Sequence, residues 1–197
     1  MKYELYVCDT ETSGLTLEHD IVEVSFYRLT TGDQKTWCIR PIRTDNIQAD
    51  ALRVNGHNLE DLLHNTKEGR EKYIPAEKAT AEIENWLMND LHTSEERLLV
   101  GHNICGFDKD MLVALWDKSN ASETFPFSKR YALDTMQIQV FMDVIGITEQ
   151  SEYYNLNGLI QKWGVKKEKA HRAAGDTRMC KDLFLKQANF IRNLAKK

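Results

Sequence analysis

The chain has 197 residues, 42% of them hydrophobic and 28% charged, with a formal net charge of −4. That balance suits a single globular domain, 1–197, with a core of its own, and the negative charge excludes a protein that coats nucleic acid by bulk attraction. No stretch approaches the roughly 20 apolar residues that span a bilayer, and Met1-Lys2-Tyr3-Glu4 carries no secretory run, so a cytoplasmic protein without a membrane partner is expected.

In chain order, Leu5 to Cys8 is an apolar segment that runs into the turn-rich Thr12-Ser13-Gly14. Ile21 to Leu29 alternates apolar with polar, Thr36 to Ile39 is β-prone, and Thr31-Gly32-Asp33 supplies the turn between them. These segments predict an antiparallel meander. Glu77 to Leu91 places Ala81, Ile83, Trp86, Leu87 and Leu91 near a 3.6-residue period and predicts a helix. Leu98 to Val100 is a short buried strand. Phe107 to Trp116 is helical, with Met111, Leu112 and Leu115 on one face. Ala132-Leu133 leads to Asp134, an N-cap for a helix over Thr135 to Ile145. Leu156 to Trp163 is a helix stopped by Gly164, and Ala173 to Leu194 is a long final helix. Strands first, then helices interleaved with short strands, predict an α/β chain with a mixed sheet flanked by helices.

Chemistry gathers at the acids. Side chains two apart on a strand share a face, so Asp9 and Glu11 set two carboxylates side by side. Such a pair repels and raises one pKa, unless a hard divalent cation lies between the oxygens. The plainer alternative is a loop with two solvated acids. Asp108 opens a helix and Asp176 lies in the first turn of another, where the macrodipole alone favours an acid. Asp110 is a rival to Asp108. His171 precedes Asp176 by five residues, roughly 140° around a helix, so the two converge only if His171 lies before the helix begins. The cysteines, Cys8, Cys38, Cys105 and Cys180, form no C-x-x-C pair or zinc spacing, and are read as reduced, mostly buried thiols.

Three segments resemble the motifs of the DEDDh (DnaQ-like) 3′–5′ exonucleases: Asp9-Thr10-Glu11-Thr12-Ser13-Gly14-Leu15, Gly101-His102-Asn103-Ile104-Cys105-Gly106-Phe107-Asp108, and His171-Arg172-Ala173-Ala174-Gly175-Asp176. They stand in the family's order over positions 9 to 176. Three residues separate Asn103 from Phe107 where many members have two, a spacing closer to the exonuclease I branch. The resemblance implies a ribonuclease H-like fold: a mixed five-stranded sheet, strands 1–3 antiparallel and the rest parallel, flanked by helices. It implies that Asp9, Glu11, Asp108 and Asp176 hold two Mg²⁺ or Mn²⁺ ions and that His171 is the general base, the five together being catalytic. Hydrolysis of terminal phosphodiesters of single-stranded DNA to nucleoside 5′-monophosphates would follow.

Thr10, Thr12, Ser13, Gly14, Leu15, Asn55, Asn103 and Phe107 are the substrate-contacting candidates the resemblance suggests. For Asn55 the competing role is a turn residue before Gly56; for Phe107 it is core, and for Asn103, with His102, it is a brace of the strand end. The partner expected is a single-stranded 3′ end, DNA favoured over RNA, with a DNA polymerase as a possible further partner. An exoribonuclease shares all five catalytic residues and differs only in how the site treats a 2′-hydroxyl. A catalytically inactive binding or polymerase-associated module is the other alternative, and it should have lost at least one of the five.

Overall fold

A mixed sheet organises the chain in the computed structural model, which describes residues 2–119, 121, 124–168 and 172–196. Strand β1 (Glu4–Thr12) is central. On one side it pairs antiparallel with β2 (Ile21–Arg28), which pairs in turn with β3 (Gln34–Cys38). On the other side β4 (Arg97–Gly101) and β5 (Ala132–Asp134) add in parallel. The order is β3-β2-β1-β4-β5, the five-stranded arrangement expected. The turn at 31–33 closes the second hairpin with Arg28 N–H on the Asp33 carbonyl.

Being central, β1 is buried on both faces. Tyr6 and Cys8 enter a core with Ile83 and Leu87 of α4 (Ala76–Leu87) and with Met111, Leu112 and Leu115 of α5 (Asp108–Lys118). Val7 points the other way, against Cys180 and Phe184 of α8 (Ala173–Leu194). Helices α6 (Thr135–Val144) and α7 (Leu156–Lys162) lie on the α8 side, where Leu159 and Ile160 pack with Met179 and Leu183. Asp134 caps α6 as expected, accepting from the N–H groups of Met136 and Gln137. Alternation along β1 decides which side carries the chemistry: Asp9 and Glu11 share the parity of Val7 and so face α8.

Two segments differ from expectation. Residues 40–75 show no helical period, yet they contain α1 (Ala49–Asn55), α2 (Leu59–Leu62) and α3 (Lys67–Lys72). Each is too short for an apolar stripe to repeat, and tertiary packing stabilises helices of that length. Leu52, Leu62 and Tyr73 pack on Val22 of β2. The other difference is α4, expected to reach Leu91 but capped at Met88. Asp90 is drawn inward by Arg97 Nε at 2.8 Å and the Tyr6 hydroxyl at 2.8 Å. The chain therefore turns, leaving Leu91 98% exposed. Ala81, expected on the core face of α4, is exposed, and Ala79 and Thr80 are buried in its place.

Candidate active site

Strand β1 outruns β4: their pairing ends at Val7 opposite Val100, so residues 8–12 have no neighbour on that edge. The chain leaves β4 sharply at Gly101, where a side-chain Cβ would come within 2.6 Å of Ile104. The amide of Thr10, left without a ladder partner, needs another acceptor. Asp108 supplies it. One carboxylate oxygen, Oδ1, accepts from Thr10 N–H at 3.0 Å and from Thr10 Oγ1 at 2.7 Å. The intervening loop is fixed by Asp134, whose two oxygens accept from Asn103 N–H at 3.0 Å and Cys105 N–H at 3.2 Å. Asn103 takes a left-handed φ of 60° in that turn. Asp108 is buried and Asp110, its rival, is exposed.

From the opposite face α8 brings Asp176. Oxygens of Asp9, Glu11 and Asp176 all lie within 4.8 Å of one another. Asp108 stands close enough to act on both strand acids electrostatically. Burial and then the charges of Asp108, Asp176, Glu11 and Glu23 push the Asp9 carboxyl well above its ordinary value. Glu11 is pushed up to about 8 by burial and then by Asp176, Glu23 and Asp108, with Arg172 opposing. Burial lifts Asp108 to about 6 against the two Thr10 hydrogen bonds. Compressed and oxygen-rich, this donor set fits a hard divalent ion. His171 lies outside the described residues; α8 begins at Ala173, beyond it.

The remaining candidates divide into bracing and open groups. Thr10 holds Asp108. Ser13 is fully buried, its amide donating to the Asp20 carbonyl and its hydroxyl accepting from Asp20 N–H, so it braces the loop from beneath. Thr12 Oγ1 donates to the Gly14 carbonyl at 2.6 Å. Gly14 lies against the His19 imidazole, which a Cβ would meet at 2.2 Å. Asn55 is buried, its amide donating to the Thr12 carbonyl at 3.1 Å and its oxygen accepting from His57 N–H at 3.2 Å, contacts that suit the turn role before Gly56. Leu15, 76% exposed, and the exposed Asn103 are open to a ligand. Phe107 is half-buried against the α4–α5 core.

Glu23 and His57 were not singled out by the sequence. Glu23 lies opposite Glu11 in the β1–β2 register and is buried. His57 Nε2 stands 3.3 Å from Glu23 Oε2, close enough for charge attraction but too poorly aligned for a proper hydrogen bond. Burial pushes the Glu23 carboxyl up, but contact with His57, the charges of His57 and Arg172 and the Ala173 amide outweigh it, and its pKa is lowered. An acid inside the apolar run Ile21-Val22-Glu23-Val24 was the available signal, but its partner emerges only from the strand register.

No protein-family model matches the chain, and no curated protein matches it in sequence. The architecture matches the ribonuclease H-like fold seen in solved exonuclease structures. Among solved structures it is similar to E. coli exonuclease I in a zinc-bound complex with single-stranded DNA (TM-score 0.75, 15% identity, 100% of this chain and 43% of that one). It is also similar to the moderately thermophilic exonuclease I of Methylocaldum szegediense (TM-score 0.72, 15% identity, 97% of this chain and 40% of that one). A product-bound exonuclease I matches with TM-score 0.70 at 14% identity, over 100% of this chain and 46% of that one. The chain thus spans less than half the length of these proteins, and the likeness is one of fold.

Proposed function

We propose that the chain is a 3′–5′ exonuclease that releases nucleoside 5′-monophosphates from single-stranded DNA ends. One observation carries this reading: acids far apart in sequence, Asp9, Glu11 and Asp176, converge at one end of the sheet with Asp108 beside them, on the fold of exonuclease I. Asp9, Glu11, Asp108 and Asp176 would hold the metal. Two Mg²⁺ or Mn²⁺ ions, when bound, supply an activated water and charge for the departing 3′ oxygen.

The chain's own groups do the rest. Thr10 keeps Asp108 aimed at the strand acids by two hydrogen bonds. His171, next to Arg172 ahead of α8, is assigned as the base that takes the water's proton, a role imidazole suits near neutral pH. Leu15 stands out from the braced 12–14 loop as an apolar wedge for the terminal base, and Phe107, half-buried against the core, is assigned to stack on a base. Asn103, exposed in its left-handed turn, is assigned to the strand as well.

The test is a matched pair of 5′-labelled DNA and RNA oligonucleotides, digested with Mg²⁺ or Mn²⁺. Stepwise shortening with release of 5′-monophosphates, faster on DNA, is expected. Faster cleavage of RNA would assign the exoribonuclease alternative, and no release from either strand would remove the enzyme reading.

A further inference from the structure

We propose that Glu23, an acid outside the ligand set, is a positioning residue that fastens the start of α8 to β2 and so fixes Asp176 opposite Glu11. This rests on the exonuclease reading above.

Directly opposed residues of an antiparallel pair share a face. Glu23, paired with Glu11, therefore points toward α8 as Glu11 does. Arg172, the N-cap of α8, gives no side-chain cap to the helix. Glu23 takes that task from a distant strand: its Oε1 accepts from Ala173 N–H at 3.0 Å. Helix N-termini leave such donors unpaired and favour an anion. Asp176 follows Ala173 by three residues, roughly 4.5 Å of helical rise, so a shift of this first turn is carried straight to the Asp176 carboxylate.

The other oxygen, Oε2, lies 3.3 Å from His57 Nε2 and 3.9 Å from Arg172 Nη1. Those partners are themselves tied down. Arg172 Nη2 donates to the Gly56 carbonyl at 3.2 Å, and His57 Nδ1 lies 2.5 Å from the Tyr73 hydroxyl. A chain of contacts thus runs from α3's end through His57 and Glu23 to α8. With both oxygens occupied, Glu23 is held beside the acid cluster without joining the group of Asp9, Glu11 and Asp176 that can close on one ion. Partners of this kind, behind metal ligands, typically change affinity or activity about 10–100-fold when removed.

The experiment compares wild type with Glu23→Ala and Glu23→Gln, measuring kcat and KM on a single-stranded oligonucleotide, Mn²⁺ affinity by calorimetry, and melting temperature. Glu23→Ala is expected to lower kcat and Mn²⁺ affinity about 10–100-fold each, with KM for the strand changed less. Glu23→Gln keeps an acceptor for Ala173 N–H and is expected to recover most of that loss. Should Glu23→Ala not fold, Ala173→Pro removes the donor at the first helical position, where proline is accepted, and is expected to lower kcat and Mn²⁺ affinity about tenfold.

A folded Glu23→Ala or Ala173→Pro protein with kcat and Mn²⁺ affinity near wild type overturns the proposal, whatever its melting temperature. So does Glu23→Gln losing Mn²⁺ as fully as Glu23→Ala, which makes Glu23 a ligand. A wild type that binds Mn²⁺ without cleaving defeats the exonuclease reading and leaves the titrations to decide on Glu23. One that neither binds nor cleaves defeats both.

Discussion

At the start of β1, Glu4 and the nearby Asp90 lie against Arg28 and Arg97; at its end, Asp9 and Glu11 lie against further acids. In both places three side chains come close enough to grip one cation, Glu4, Asp90 and His92 at one end and Asp9, Glu11 and Asp176 at the other. Their neighbours differ. Burial pushes the Asp90 carboxyl up, but hydrogen bonds from Arg97, His92 and Tyr6 outweigh it and hold it far below the carboxylate range. At the far end burial and like charge act together, and Glu11 rises to about 8. Geometry alone does not separate a metal site from an ion-pair network. The surroundings do: Arg28 and Arg97 neutralise Glu4 and Asp90 at one end, whereas at the other the acids press on one another, and that is the end proposed to take an external ion.

The largest effect expected from this contrast is on turnover. Asp9→Asn should lower kcat by about 10²–10³-fold or more, the scale of losing one preorganised charge contact to a transition state, while the chelated protein melts no lower than wild type because a like charge has gone. Activity retained in Asp9→Asn would make the far end as passive as the near one. Asp90→Ala should do the reverse. It leaves two guanidinium groups facing a lost partner, a break that destabilises by about 3–5 kcal/mol and lowers the melting temperature by roughly 10 °C, with turnover per folded molecule unchanged at low temperature.

Stability against pH sharpens the comparison further. Glu11 holds a proton in the folded chain up to about pH 8, whereas an unfolded glutamate releases it near 4.3. Between those values the folded state binds more protons, so stability falls as pH rises. Asp108, lifted to about 6, acts in the same direction. Thermal melts in chelator should drop from about pH 5.5 to about pH 8, and Mn²⁺ at 100 times its dissociation constant should restore about 2.7 kcal/mol. Melts that are flat with pH and indifferent to Mn²⁺ would leave the two ends alike. Smallest of all, Leu15→Ala should raise KM for the oligonucleotide a few-fold with kcat little changed, since a partial apolar contact is worth about 1 kcal/mol.

Much of this was legible before the structure. The two-residue period of Asp9 and Glu11 fixed their common face, and the strand alternation, the Asp134 cap and the long 173–194 pattern each carried their own local signal. The turn role of Asn55 was legible from the Gly56 that follows it, but its tie to the Thr12 carbonyl and the bracing role of Ser13 were not, because they depend on hydrogen bonds that only the folded loops bring near. Glu23 carried only the signal of an acid among apolar neighbours; its role emerges when register sets it opposite Glu11 and its carboxylate meets the first amide of α8. Helices α1 to α3 carry caps in Asn58 and Thr66 but are too short to show a period.

The most direct test of the central claim is a Mn²⁺ titration followed by electron paramagnetic resonance, with a nucleoside 5′-monophosphate present. Two ions per chain are expected in wild type and in Asp90→Asn, and their loss in Asp9→Asn. Equal Mn²⁺ binding by wild type and Asp9→Asn would contradict the assignment of the β1 end as the metal site.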